Sequence, residues 1–196
     1  MSTVIVKFGG HAMSDQHGSF ASCISQAQNR GHRVVVVHGG GPQINKALEA
    51  AAINSSFVGG FRVTTPEIFE VVERVLAGEV GPSVASALSH HGIKAQSISG
   101  RAGILFAERQ RNLVDGTQAD LGLVGDVKRA EKTEIEKLLN AHVVPVVSPI
   151  ASSVDGREGL NVNADIAAAA IAGALQADEL IIMTDVPVSY THLTLP

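Results

Sequence analysis

Four apolar runs rich in β-branched residues recur along the chain and predict strands. They lack the apolar–polar alternation of a strand with one solvated face, so we expect both faces to be covered, as in a parallel sheet. Pro145 counts against one run, because proline removes a ladder donor. The four runs are residues 3–8, 33–38, 143–148 and 179–184, and residues 94–99 form a weaker fifth.

Segments with helical periodicity lie between these runs. After Pro42, apolar residues recur at positions i, i+3, i+4 and i+7, and residues 131–140 and the alanine-rich 164–175 also suit helices. Thr65 is a good N-cap, with Pro66 at the first helical position. Strands that alternate with such helices predict an α/β fold, here a three-layer α/β/α sandwich with a mainly parallel central sheet.

Two regions depart from this alternation. Residues 104–128 carry short polar–apolar alternations, and the dipeptides at 115–116 and 125–126 are turn signals. They predict a β-hairpin excursion at the edge or end of the sheet. Residues 188–196 have no periodicity, and VSYTHL (188–193) resembles one reading frame of a transposon-end adapter used in making sequencing libraries. We expect them to be a non-native tail, and a genuine divergent tail is the alternative.

The composition argues against several classes of partner. The chain has 196 residues, 45% of them hydrophobic, and a net charge of −4 without a basic block, so nucleic acid is not an expected partner. Cys23 is the only cysteine and the eight histidines show no metal-ligand spacing, so we expect no disulfide framework and no metal held by the protein itself. No apolar run approaches the ~20 residues of a membrane span, which predicts a cytoplasmic protein without a membrane partner.

Glycines follow two of the predicted strands directly. Gly9 and Gly10 come after the first, and residues 39–41 after the second. Glycine lets backbone N–H groups approach a ligand closely, and the N-terminus of a following helix favours an anion. Ligands of open α/β sheets bind at the carboxyl ends of the strands, so the two turns predict an anion site; tight turns that only relieve strain are the alternative. The spacing fits neither a dinucleotide fingerprint nor a Walker A loop.

Several polar residues could complete this site, and each also has a structural explanation. Lys7 could neutralise phosphate charge or extend to solvent. Asn161, Asn163 and Asp165 lie two positions apart, so an extended stretch would point them to one side, although the last two could simply cap a helix. Arg62 could bind a carboxylate or be a surface charge. Among the histidines, we expect only His38 near this crevice.

Together and in this order, these motifs resemble the amino acid kinase family. Within it the resemblance is closest to the branch that phosphorylates the side-chain carboxylate of N-acetyl-L-glutamate with ATP, in arginine biosynthesis. Any one motif is weak, but the ordered set is specific. The matching pieces include VKFGGHAM (6–13), VVVVHGGGPQIN (34–45), FVGGFRVT (57–64), LGLVGDV (121–127), NVNADIAAAAIA (161–172) and IIMTDVP (181–187).

The resemblance implies a role for each matching residue at the phosphoryl end of the site. Lys7 would stabilise the transferring phosphoryl group, and Asp165 would orient the catalytic lysines. The N–H groups of Gly9 and Gly10 would bind phosphates, with Asn163 nearby. ATP is the implied cosubstrate, and Mg²⁺ would arrive with it.

The acceptor end is implied in the same way. Gly40 and Gly41 would hold the acceptor carboxylate and the phosphoryl group from the side opposite Lys7. Arg62 and Asn161 would hold the α-carboxylate of N-acetyl-L-glutamate.

The resemblance also implies a domain organisation. Family members continue beyond residue 187 into a nucleotide-binding part, so we expect residues 1–187 to be the N-terminal acceptor-binding and dimerisation part, with the C-terminal part missing. A homodimer is the implied assembly. Gly81 and residues 99–103 depart from the family pattern. A kinase of an aminoadipate derivative and a catalytically inactive acceptor-binding fragment are the alternative functions.

Overall fold

The structure is a computed structural model that describes residues 2–9, 18–113 and 115–183. Gly10, predicted to bind phosphate, therefore lies outside the described residues. The same holds for the proposed non-native tail at 188–196. All strand and helix bounds below refer to the described part of the chain.

A five-stranded sheet forms the centre of the fold. Its strand order is β11-β1-β2-β8-β5, and every neighbouring pair is parallel. This confirms the mainly parallel sheet and all five predicted strands, to within a few residues at their ends. The strands are β1 (Thr3–Phe8), β2 (Arg33–His38), β5 (Ala95–Ser99), β8 (Val144–Ser148) and β11 (Glu179–Ile182).

Helices cover both faces of the middle of this sheet. Every residue of β8 is buried, as are the last five of β2, and a strand can bury consecutive residues only when both of its faces are covered. The prediction of a three-layer α/β sandwich is confirmed. The helices are α1 (Ser19–Asn29), α2 (Gly41–Ala50), α3 (Pro66–Glu73), α4 (Gly81–His90), α5 (Thr133–Asn140) and α6 (Ala164–Leu175).

The edge strand β11 differs from the expectation of a fully buried strand. Leu180, Ile181 and Ile182 are 37–45% exposed. Their strand pairs with β1 on one side only within the described residues, and α6 covers it incompletely. An apolar run therefore did predict a strand, but not its place in the sheet.

A second, four-stranded sheet contains the predicted hairpin excursion. Its order is β10-β9-β6-β7, and β6 and β7 pair antiparallel. Residues 115–116 lie in a turn, whereas the dipeptide at 125–126 begins β7, so that turn signal was wrong. The glycine there packs against side chains of neighbouring strands and leaves no room for a Cβ atom. The strands are β6 (Leu105–Arg109), β7 (Gly125–Ala130), β9 (Ile150–Ser153) and β10 (Gly159–Asn161).

One long helical stretch runs beside both sheets. It begins at α3, where the Thr65 side chain accepts a hydrogen bond from the Ile68 N–H (3.2 Å), as predicted for an N-cap. It continues through a π-helical segment, Arg74–Val80, into α4. A short hairpin, β3 (Phe57–Val58) and β4 (Phe61–Arg62), precedes it. Within the described residues, no helix is both long enough and apolar enough to span a membrane.

Candidate active site

A cleft of about 340 Å³ opens where β1 and β2 end. Two helices, α2 and α6, begin at its rim, so the partial positive charges of two helix N-termini meet there. The cleft brings together most of the predicted site residues. Its lining includes Lys7, Gly9, Gly39, Gly40, Gly41, Asn161, Asn163 and Asp165.

Lys7 places its ammonium group inside this cleft. Its Nζ lies 3.1 Å from Asp165 Oδ1, in a close charge pair without hydrogen-bond geometry, and 3.4 Å from the Met183 carbonyl. The Lys7 side chain is 13% exposed, against 47% for Asp165. A Cβ atom at Gly9 would come within 3.0 Å of Lys7 Cε, so the glycine allows the lysine to fold over the turn. An ammonium with three donors and one carboxylate beside it can still take a further anion.

The glycine turn after β2 forms another part of the cleft wall. A Cβ atom at Gly40 would meet Leu76 Cδ2 at 2.5 Å, so the π-helical segment packs directly on the turn. Neither Gly40 nor Gly41 donates its backbone N–H to an acceptor among the described residues. Both glycines line the cleft, so the turn offers it two backbone N–H donors that have no acceptor among the described residues.

The polar triplet at 161–165 converges on the cleft, but not as one extended stretch. Asn163 is the N-cap of α6 and its side-chain oxygen accepts from the N–H groups of Asp165 (2.8 Å) and Ile166 (3.3 Å). Asp165 lies in the first helical turn instead. The capping alternative thus holds for Asn163, which leaves its side-chain NH₂ as the group that can donate to a phosphate.

Arg62 forms a separate buried site beside the cleft and is not part of its lining. It is 8% exposed, which rules out the surface-charge alternative. Its guanidinium donates to Ser55 Oγ (2.5 Å) and Asn45 Oδ1 (2.6 Å), and it lies 4.6 Å from the centre of the Phe57 ring. Burial lowers the pKa of the Arg62 guanidinium. No carboxylate of the described residues lies within 4 Å of it.

Thr64 connects this guanidinium to the cleft. Its hydroxyl, fully buried, donates to the Arg62 carbonyl (2.8 Å) and accepts from Asn161 Nδ2 (3.2 Å). Arg62 and Asn161 are therefore held in one arrangement from two distant parts of the chain. Sequence reasoning missed Thr64, and also Asn45 and Ser55, because a hydroxyl or amide that supports an arginine carries no spacing signal of its own.

Charged side chains elsewhere in the described residues pair mostly on the surface. Arg109 binds Glu158 through two hydrogen bonds, at 2.7 and 2.6 Å, and Arg101 donates to Glu73 at 2.5 Å. Across residues 2–9, 18–113 and 115–183, no group of three or more His, Cys, Asp or Glu side chains could hold a metal ion. Arg62 thus stands out among the described arginines as buried and without an anionic partner.

A sequence model of the amino acid kinase family matches residues 2–192. The chain belongs to the amino acid kinase family. Its curated relatives include acetylglutamate kinases of Acidothermus cellulolyticus, 49% identical over 94% of the chain, and of Bifidobacterium adolescentis, 46% identical over 93%. The chain spans only 64% and 59% of the length of these two proteins.

The fold agrees with this membership. A crystal structure of smu.665 from Streptococcus mutans UA159 superimposes with a TM-score of 0.83 at 34% sequence identity. It covers 93% of this chain, and the match spans 72% of that protein. The amino acid kinase fold predicted from the ordered motifs is thereby confirmed.

Proposed function

We propose that this protein transfers the γ-phosphoryl group of ATP to the side-chain carboxylate of N-acetyl-L-glutamate, a step of arginine biosynthesis. The observation that carries the proposal is the buried Arg62 guanidinium, whose described polar partners are all neutral. A buried cation is costly unless it is paired, so the site favours a ligand that brings a carboxylate. The names of its curated relatives support the same acceptor.

The acceptor would bridge the buried site and the cleft. Its α-carboxylate would pair with Arg62, whose planar fork matches a carboxylate, and would accept from Asn161. Its side-chain carboxylate would then reach the free N–H groups of Gly40 and Gly41. Two anionic ends at a fixed separation would select an amino acid whose acidic side chain has the matching length.

The phosphoryl group would enter from the Lys7 side of the same cleft. Phosphoryl transfer needs positioning and charge neutralisation more than covalent help from the protein. Lys7 would neutralise the transferring group, Asp165 would hold the lysine in place, and the N–H groups of Gly9 and Gly10 would bind phosphate oxygens with Asn163 beside them. ATP would bring Mg²⁺, which would supply neutralisation of the phosphate charge.

Calorimetric titration of the chain tests the acceptor assignment. N-acetyl-L-glutamate is expected to bind more tightly than N-acetyl-L-aminoadipate, and N-acetyl-L-glutamine, which lacks the side-chain carboxylate, is expected to bind least. Preference for the longer acid would favour the kinase of an aminoadipate derivative. No binding of any of the three by folded protein would reject the acceptor site.

A coupled ADP-release assay on the same protein tests the transfer itself. Turnover that requires both ATP with Mg²⁺ and N-acetyl-L-glutamate supports the kinase. Binding of the acceptor without turnover would favour the alternative of an acceptor-binding part alone.

The homodimer and the cytoplasmic location remain part of the proposal, and sedimentation velocity over a range of concentrations tests the homodimer.

A further inference from the structure

The end of β2 carries a fully buried histidine directly before the glycine turn. His38 is 0% exposed, and its Nδ1 lies 2.7 Å from the carbonyl oxygen of Gly39. A carbonyl oxygen can only accept a hydrogen bond, so Nδ1 must carry the proton. The contact therefore fixes both the tautomer of the ring and the direction of that carbonyl.

The other ring nitrogen has no such contact. His38 Nε2 is buried without a hydrogen-bond partner among the described residues, and a Cβ atom at Gly81 would lie 3.1 Å from it. Burial lowers the pKa of His38 to about 4, so the ring is neutral at pH 7. A neutral ring has one N–H, and in this structure that N–H donates to the Gly39 carbonyl.

Fixing the Gly39 carbonyl also fixes the N–H of Gly40. The two groups belong to one trans peptide plane, in which C=O and N–H point in opposite directions. With the carbonyl held toward the buried ring, the Gly40 N–H points away from it. Glycines on both sides give this peptide little resistance of its own to rotation, so an external hydrogen bond decides its orientation.

We propose that His38 is a positioning residue, which holds the Gly39–Gly40 peptide so that the Gly40 N–H is presented to the acceptor carboxylate. The inference rests on the proposed function for the identity of the ligand. The orientation of the Gly39–Gly40 peptide does not depend on which ligand binds. His38 does not line the cleft, so it acts only through the backbone of the turn.

A purely structural role would make His38 a space-filling core residue. Two replacements separate the alternatives, because they have nearly the same shape. His38→Asn keeps an N–H donor at the δ position, and His38→Leu removes it; both lose a similar part of the ring. If packing alone matters, the two variants should behave alike.

The first measurement needs no ligand. Ring ¹⁵N shifts of His38 are expected to show the neutral tautomer protonated at Nδ1, and a ring protonated at Nε2 would overturn the proposal. The Gly40 amide resonance is expected to stay near its wild-type position in His38→Asn and to move in His38→Leu. The same Gly40 shift in all three proteins would also overturn it.

Acceptor binding supplies the second measurement, with thermal unfolding as the folding check. For folded variants, His38→Asn is expected to bind N-acetyl-L-glutamate within about threefold of wild type, and His38→Leu about tenfold more weakly, the loss of roughly one hydrogen bond. Equal affinities of the two variants would contradict the positioning role. If the wild-type protein binds no N-acetyl-L-glutamate, the acceptor proposal fails, and the amide and tautomer measurements still decide the role of His38.

Discussion

The two cationic side chains of the site sit in opposite electrostatic situations. Lys7 is already beside a carboxylate of its own chain, at 3.1 Å from Asp165. Arg62 is buried, and among the described residues its guanidinium contacts a hydroxyl, an amide oxygen and an aromatic ring but no carboxylate. One charge is balanced before any ligand arrives, whereas the other still needs its counterion.

This difference separates binding from chemistry. A buried, unpaired guanidinium gains most when a carboxylate arrives, so its interaction is strong in the ground state. A lysine that is already paired gains less from the ground state and more from the charge that develops on a transferring phosphoryl group. Under the proposed function, Arg62 would therefore govern acceptor affinity and Lys7 would govern turnover.

Removal of Arg62 is the largest test of this contrast. Arg62→Ala is expected to weaken N-acetyl-L-glutamate binding by about 2–5 kcal/mol, the range for the loss of one partner of a buried charge pair. Arg62→Lys keeps the charge but not the planar fork, and an intermediate loss is expected. Calorimetric titration measures both.

Arg157→Ala is the matched control, because it removes the same charge from a side chain that is 85% exposed. It is expected to leave the dissociation constant unchanged. Equal effects of the two alanine variants would mean that overall charge and not the buried site binds the acceptor. An unchanged affinity in Arg62→Ala would remove Arg62 from the site.

The pH dependence of stability tests His38, the residue before the glycine turn, separately from Lys7 and Arg62. The pKa of His38 is about 4 in the folded protein, against the ordinary histidine value of 6.5 in the unfolded chain. The unfolded chain therefore binds more protons between these two pH values. The free energy of unfolding is therefore expected to rise with pH from 4 to 6.5, by on the order of 3 kcal/mol from this group. Urea unfolding at a series of pH values measures it.

The free energy of unfolding rises with pH because the pKa of His38 is lower in the folded protein than in the unfolded chain. The contribution of His38 is fully present above pH 6.5 and is lost as the pH falls through 4. His38→Asn cannot titrate in this range and should show a flatter profile. A profile as steep as that of the wild type would assign the acid sensitivity to other groups.

The central sheet and its helices could be predicted from the sequence because their signals are local. Runs of valine at 33–38 and 143–148 need cover on both faces, and the structure provides it. The place of residues 179–182 at a sheet edge could not be predicted, since strand order depends on contacts between distant segments. The glycine at 125 was misread as a turn because a glycine forced by close packing looks the same in sequence as one that is forced by a turn.

The site could be predicted only where the type and position of a residue indicate its chemistry. Glycines after strands and a lysine beside them indicated the cleft, which the structure forms from five separate segments. The support of Arg62 by Asn45 and Ser55 was not predictable. It arises when α2, a loop and a short hairpin meet, and no local pattern encodes that meeting.

These supporting residues provide a smaller test. Asn45→Ala and Ser55→Ala are each expected to weaken acceptor binding by about 1–2 kcal/mol, because each releases one hydrogen bond that orients the guanidinium. Calorimetry measures the loss. Asn54→Ala, at an exposed neighbouring position, is the control and should bind like the wild type. Losses as large as that of Arg62→Ala would mean that the variants disrupt the site rather than reorient one side chain.

Lys7→Ala is expected to change acceptor affinity least, within about twofold, because Asp165 and not the acceptor is its ground-state partner. The kcat of the ADP-release reaction is expected to fall by about 10²–10³-fold, the range for removal of one group that stabilises developing charge. Calorimetry and initial rates measure the two quantities separately. A loss of affinity comparable with that of Arg62→Ala would contradict the assignment of affinity to Arg62 and turnover to Lys7, and so would a rise in KM with kcat intact. Either result would mean that both cations hold the acceptor in its ground state.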